Sequence, residues 1–114
     1  MSAAPRIRLV VSDVDGTLVT NDKRLTEGTR AAVRRLGERG IGFTVVSSRP
    51  PFGITPVIEG LDLTLPVGAF NGAAIVAPDL SEIETHAVDA EVAKDIVSRL
   101  TAAGVSVWVF ARGR

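Results

Sequence analysis

Two short apolar runs, Ile7–Val11 and Ile41–Ser47, flank one amphipathic segment with only short joins between them. Strand, helix, strand in that order is the βαβ signature, so this half of the chain should form a parallel sheet with helices packed on it. The first run, with Leu9, Val10 and Val11 consecutive, reads as a buried strand of the kind found inside parallel sheets. Thr26 is the expected N-cap of the helix, with Glu27 in its first turn. Ala32, Val33 and Leu36 join Thr29 in its apolar stripe, and Gly40 is its stop. Pro50 and Pro51 suit the first turn of a second, shorter helix ending near Gly60.

The pattern changes near residue 72. Leu65–Phe70, Ala73–Ala77 and Glu82–Val88 are short strand-like runs, separated by the turn signals Asn71-Gly72 and Pro78-Asp79. Asp89 then caps a helix carrying Val92, Ile96, Leu100 and Ala103 on one face, with Gly104 as its stop. Val105–Phe110 is predicted as a last strand, with Trp108 packed in a core or on a sheet. Residues 1–72 and 73–114 are therefore expected to be separate units. The fold class is α/β: a partial Rossmann-like parallel sheet with helices, then the start of a second α/β unit.

Composition narrows the function. The 114 residues are 46% hydrophobic and 23% charged, a globular balance. A chain of this size should bury roughly two-thirds of its unfolded surface, enough for one ordinary domain. Lys and Arg total 13, matched by 13 Asp and Glu, so nothing in the charge points to nucleic acid or an anionic membrane. Cysteine is absent, which excludes disulfides, thiolate metal sites and a cysteine nucleophile. No apolar stretch approaches the ~20 residues that span a bilayer, and a cytoplasmic location is the default expectation.

The chemistry gathers where the first strand runs out, in Asp13-Val14-Asp15-Gly16-Thr17. The carboxyl end of a strand in an open parallel sheet is where such folds bind ligands. In extended backbone, residues two apart face the same side, so Asp13 and Asp15 should converge. Two neighbouring carboxylates repel unless a cation or a shared proton offsets them, and two hard oxygen ligands suit Mg²⁺. One carboxylate could then attack an electrophile while the other handles the proton. A calcium-binding EF-hand starting at Asp13 is excluded, because its sixth and twelfth positions are Leu18 and Arg24 rather than glycine and glutamate. A P-loop is absent from the sequence.

Val11-Ser12-Asp13-Val14-Asp15-Gly16-Thr17-Leu18 resembles the first motif of the haloacid dehalogenase superfamily of phosphohydrolases. Val45-Val46-Ser47-Ser48-Arg49-Pro50 resembles its second, which in the Cof-like, sugar-phosphatase branch usually reads Thr-Gly-Arg-Pro. Phe70-Asn71-Gly72-Ala73 is similar to the Asn-Gly-Ala that precedes the inserted cap in that branch, and residues 73–114 resemble the beginning of the cap. The resemblance implies that Asp13 is the nucleophile forming an aspartyl-phosphate. Asp15 would protonate the leaving oxygen and then activate water. It implies Mg²⁺ held by Asp13 and Asp15, the latter through its backbone carbonyl. Ser47 would bond the transferring phosphoryl group, with backbone N–H groups near Ser48 assisting and Arg49 a further phosphate contact. Gly16, Thr17, Asn71 and Gly72 complete the phosphate- and substrate-binding set. The implied partner is a small phosphorylated metabolite.

The family also requires a lysine and a second acidic motif that the resemblance places beyond the cap. The lysines here are Lys23, between the first motif and the first helix, and Lys94, on the polar side of the last helix. The expectation is a fragment of a longer enzyme, with little activity alone and self-association through an uncovered sheet edge. His86 reads as incidental. A receiver domain that accepts phosphate on an aspartate is the alternative, weakened because no aspartate ends the third strand. A non-catalytic metal- or phosphate-binding remnant is another.

Overall fold

The computed structural model describes residues 4–112, so the expected outer bounds at Met1 and Arg114 lie outside it. The elements run β1 (Leu9–Ser12), α1 (Glu27–Glu38), β2 (Gly42–Val45), α2 (Pro51–Gly60), β3 (Val67–Ala69), a 3-10 turn (Phe70–Gly72), β4 (Ala74–Val76), β5 (Glu82–Thr85) and α3 (Ala90–Ala102).

β1 and β2 are parallel, in the register Leu9↔Gly42 to Ser12↔Val45. A single parallel bridge, Val46↔Gly68, carries that sheet across to β3. From there the pairing is antiparallel, β3 with β4 and β4 with β5. The βαβ reading of the first half therefore holds, as do the hairpins after it. Local chemistry explains the helix ends. The Thr26 hydroxyl accepts from the Thr29 N–H at 3.2 Å, satisfying one of the orphan donors of the first turn of α1. Past its C-cap Arg39, Gly40 takes a φ of +72°. Pro51 occupies the first turn of α2, where a missing N–H costs nothing.

The core consists of twelve buried apolar residues between Val14 and Val76, centred on Val14, Val45, Ile54, Val57, Val67 and Val76. Four expectations fail on packing. β1 is not a buried strand: Leu9 and Val11 are 51% and 52% exposed, because β2 flanks it on one edge alone among the described residues. Val105–Phe110 is not a strand; the segment has no neighbouring ladder to satisfy its backbone, and an apolar run without a partner stays irregular. Trp108 is correspondingly 84% exposed rather than packed in a core. Asp89 stands at the N-cap of α3 without making a side-chain capping bond. The apolar stripe of α3 lies where it was expected, but Val92, Ile96 and Leu100 remain exposed. As a result the molecule is less compact than one ordinary domain, with a radius of gyration of 17.4 Å where about 13 Å is typical. Its accessible surface is 8299 Å², against about 6,000 Å² for a compact monomer of this mass.

Candidate active site

Three loops leave the carboxyl ends of β1, β2 and β3, and backbone hydrogen bonds tie them into one edge. The Val46 N–H donates to the Ser12 carbonyl at 3.0 Å, and Ser47 N–H to Gly68 at 2.9 Å. Asn71 N–H then donates to the Ser47 carbonyl at 2.9 Å, and Phe70 N–H to Arg49 at 3.0 Å. Residues 13–17, 47–49 and 71–72 thus meet although more than fifty positions separate the first from the last.

The first loop is anchored by Val14, which is fully buried and whose carbonyl accepts from the N–H groups of Thr17, Leu18 and Val19. With Val14 turned into the core, Asp13 on one side of it is exposed and Asp15 on the other is half-buried. Gly16 takes a φ of +78° with open space where a side chain would stand, so the left-handed backbone, not crowding, calls for glycine. Thr17 Oγ1 lies 3.4 Å from Asp13 Oδ2, the one side-chain hydrogen bond recorded for that carboxylate.

Asp15 is held quite differently. Arg49 grips it with two bonds, Nε to Oδ2 at 2.8 Å and Nη2 to Oδ1 at 2.7 Å. The same guanidinium donates from Nη1 to the Gly53 carbonyl at 2.9 Å, fixing it against the start of α2. Lys23 Nζ reaches Asp15 Oδ1 at 3.0 Å. Hydrogen bonds from Arg49 and then Lys23 hold the Asp15 carboxyl far below the usual carboxylate range, and the pairing raises Arg49 in turn. A fork of this kind also fixes orientation.

This arrangement corrects the idea of two side-chain carboxylates sharing one cation. The Asp15 carboxylate is already neutralised by two side chains. Among the described residues no group of three or more His, Asp or Glu gathers to hold a metal. The family resemblance assigns a cation instead to the Asp13 carboxylate, which forms no ion pair among the described residues, and to the main-chain carbonyl of Asp15. Two hard oxygens fit Mg²⁺, which keeps several waters of its own.

Ser47 is 2% exposed, and its Oγ accepts from the Arg49 N–H at 3.1 Å, shaping the loop while its own proton stays free to donate. The Arg49 N–H is thereby committed, and Ser48 stands exposed. Asn71 contributes its backbone N–H, with a φ of 58°, and Gly72 continues the turn at 96°. His86 Nε2 lies 3.0 Å from Glu84 Oε1, and its backbone N–H donates to the Ala73 carbonyl at 2.7 Å. Lys94 sits near Glu91 on α3.

Lys23 is the residue that sequence reasoning passed over. The Thr20–Arg24 loop folds back on itself: Thr20 N–H donates to Arg24, Lys23 N–H to Thr20, and Arg24 N–H to Thr20 Oγ1. Asn21-Asp22 between Val19 and Leu25 is the turn signal that could have placed Lys23 beside Asp15.

The family profile of the haloacid dehalogenase-like hydrolases matches residues 10–114. The 5-amino-6-(5-phospho-D-ribitylamino)uracil phosphatase YitU of Bacillus subtilis is 33% identical over 70 residues, covering 61% of this chain and 26% of its own length. The HMP-PP phosphatase of Cronobacter sakazakii is 27% identical over 103 residues, 90% of this chain and 38% of its own length. A haloacid dehalogenase-like hydrolase from B. subtilis superposes with a TM-score of 0.76 at 28% identity, over 86% of this chain and 34% of that structure. The chain therefore spans between about a quarter and two-fifths of the curated relatives it matches. With the motifs on one sheet edge and a profile covering nearly its whole length, this chain belongs to the haloacid dehalogenase-like hydrolases.

Proposed function

We propose that this chain carries the nucleophile side of a Mg²⁺-dependent phosphohydrolase acting on small phosphorylated metabolites of the sugar-phosphate kind. The observation that carries the reading is the tie between the three loops, which brings Asp13, Ser47 and Asn71 to one edge. The division into residues 1–72 as the first part of a catalytic core and 73–114 as the beginning of a cap belongs to the same proposal. The relatives support the substrate class, since one of them is named for a phosphorylated ribitylaminouracil.

In this reading an Asp13 oxygen attacks phosphorus, the ester P–O bond breaks, and the leaving oxygen takes a proton from Asp15. Water that gives its proton to Asp15 then cleaves the acyl phosphate. Ser47 Oγ–H, Asn71 and Gly72 orient the phosphoryl oxygens, with Gly16 and Thr17 shaping the floor. Ser48 and Arg49 close the second side. Mg²⁺, held by the Asp13 carboxylate and the Asp15 carbonyl, would neutralise charge spread over the transferring group. Paired with Arg49 and Lys23, Asp15 is ionised, and the pairing that keeps it so also weakens it as a base. Its acid step requires one of those cations to withdraw.

The same pairing favours a second reading, a phosphate-binding remnant without turnover. Hydrolysis of an aryl phosphate with Mg²⁺ separates them, measured on this chain and on the longest polypeptide its reading frame encodes. Turnover that Asp13→Asn lowers by about a thousandfold or more supports the phosphatase. Phosphate binding without turnover in either polypeptide supports the remnant, and stable phosphorylation from a small donor supports a receiver. Self-association through the open edge of β1 is part of the proposal and is read from sedimentation.

A further inference from the structure

A cleft of about 300 Å³ opens beneath the Thr20–Arg24 loop, beside α2. Its charged lining consists of Lys23, Arg24, Arg30 and Arg49, and the rest is apolar; no carboxylate lines it. Two acids offset these four cations from outside the cleft. Asp15 takes Lys23 and Arg49, while Asp22 takes Arg24 at 2.6 Å. Arg30 forms no ion pair among the described residues, although Glu27, paired with Arg34, attracts it at longer range. Arg30 Nη1 donates to the Gly60 carbonyl at 2.7 Å, across thirty positions of sequence. With Glu27 shared between Arg34 and Arg30, the cluster keeps a positive excess in a concave space with apolar walls, which attracts an anion.

The seat of Arg30 is built rather than incidental. A Cβ added at Gly60 would stand 2.6 Å from Leu25 Cδ1 and 3.4 Å from Arg30 Nη1, so a glycine at the end of α2 lets loop and guanidinium close over it. At the loop tip, Asp22 is bonded by Thr20 and Arg24, which keeps that acid turned to its own loop.

We infer that this cleft is an anion site, distinct from the Ser47 hydroxyl and sharing only Arg49 with that loop, taking a small oxyanion of the phosphate class with Arg30 as its anchor and Lys23 and Arg24 as its rim. It stands on the cleft's charge and shape, not on the phosphatase reading. An anion held there competes with Asp15 for Lys23, so the site is coupled to the neighbouring carboxylate through that one side chain.

The test is titration of the ¹⁵N-labelled 114-residue chain with inorganic phosphate in metal-free buffer, followed by NMR. Shifts are expected at Lys23, Arg30 and Gly60. Arg30→Met should weaken that binding about tenfold, Arg30→Lys less, and the distant Lys94→Met not at all. Should Arg30→Met lose the fold along with its bond to Gly60, Lys23→Met decides, with a severalfold loss expected. Shifts confined to residues 47, 48, 71 and 72, or affinity unchanged in the variants that fold, overturn the cleft and leave the phosphatase reading intact. Shifts in the cleft uphold it, and no binding at millimolar phosphate sinks it; neither result in metal-free buffer bears on the Mg²⁺-dependent reading of the Ser47 loop.

Discussion

Helices α2 and α3 are similar in length, ten and thirteen residues, and opposite in what they do with apolar surface. α2 is apolar around most of its circumference, contains Pro56, and buries Pro51, Ile54, Val57 and Ile58. α3 segregates its apolar residues on one face far better, yet buries none of them. A stripe of apolar side chains is a property of local sequence. Burial requires a second surface to meet it, and α2 finds that surface in the core whereas α3 leaves its stripe open. The buried core is therefore concentrated between Val14 and Val76, and the candidate loops stand on it.

The sharpest way to break this contrast is to cut the same side chain from each helix. Ile54→Ala should cost about 2–4 kcal/mol through lost burial and an unfilled cavity, while Ile96→Ala should stay below about 1 kcal/mol. Urea unfolding measures both, and equal losses would mean that α3 is packed in solution.

A smaller, pH-gated difference is expected between the ion pairs of the two regions. Pairing with Arg49 and Lys23 depresses Asp15 in the folded state, so its contribution is present above the ordinary value of 3.8 and is lost as pH falls below it. Urea midpoints taken from pH 7 to pH 3 should fall more in the parent chain than in Arg49→Met. Arg99→Met, which breaks an exposed pair with Asp95 on α3, should change stability by less than about 0.5 kcal/mol at pH 7.

The caps give the finest comparison. Thr26→Ala removes a bonded cap and should cost about 1 kcal/mol. Asp89→Ala removes a residue with no capping bond and should cost a few tenths of that scale. Thermal melts of the two variants decide it, and parity would mean that Asp89 caps α3 in solution.

Much of the first half was legible because its signals are local. Thr26, Gly40 and Pro51 mark helix ends through their own backbone and hydroxyl chemistry, and the short, β-branched apolar runs on either side of α1 favour strands. The edge carrying Asp13, Ser47 and Asn71 was legible through the resemblance of their three motifs to one family, since local pattern alone made Asn71-Gly72 a hairpin turn. Lys23 was not, since its approach to Asp15 depends on how the Thr20–Arg24 loop folds back. The grip of Arg49 on Asp15 was missed as well, across 34 positions of sequence. Val105–Phe110 failed in the other direction. Its residues favour a strand, but a strand exists only when a neighbour supplies the other half of its hydrogen bonds.

Sequence alone settled which segments are helices and strands in the first half, because periodicity, caps and turn residues act within a few positions. The tertiary structure alone decided that Asp15 faces two cations instead of a second carboxylate, that Arg30 lines a cleft without an acid, and that α3 lies open. Those outcomes depend on distances between side chains far apart in the chain, which the packing of the core sets and no local pattern encodes.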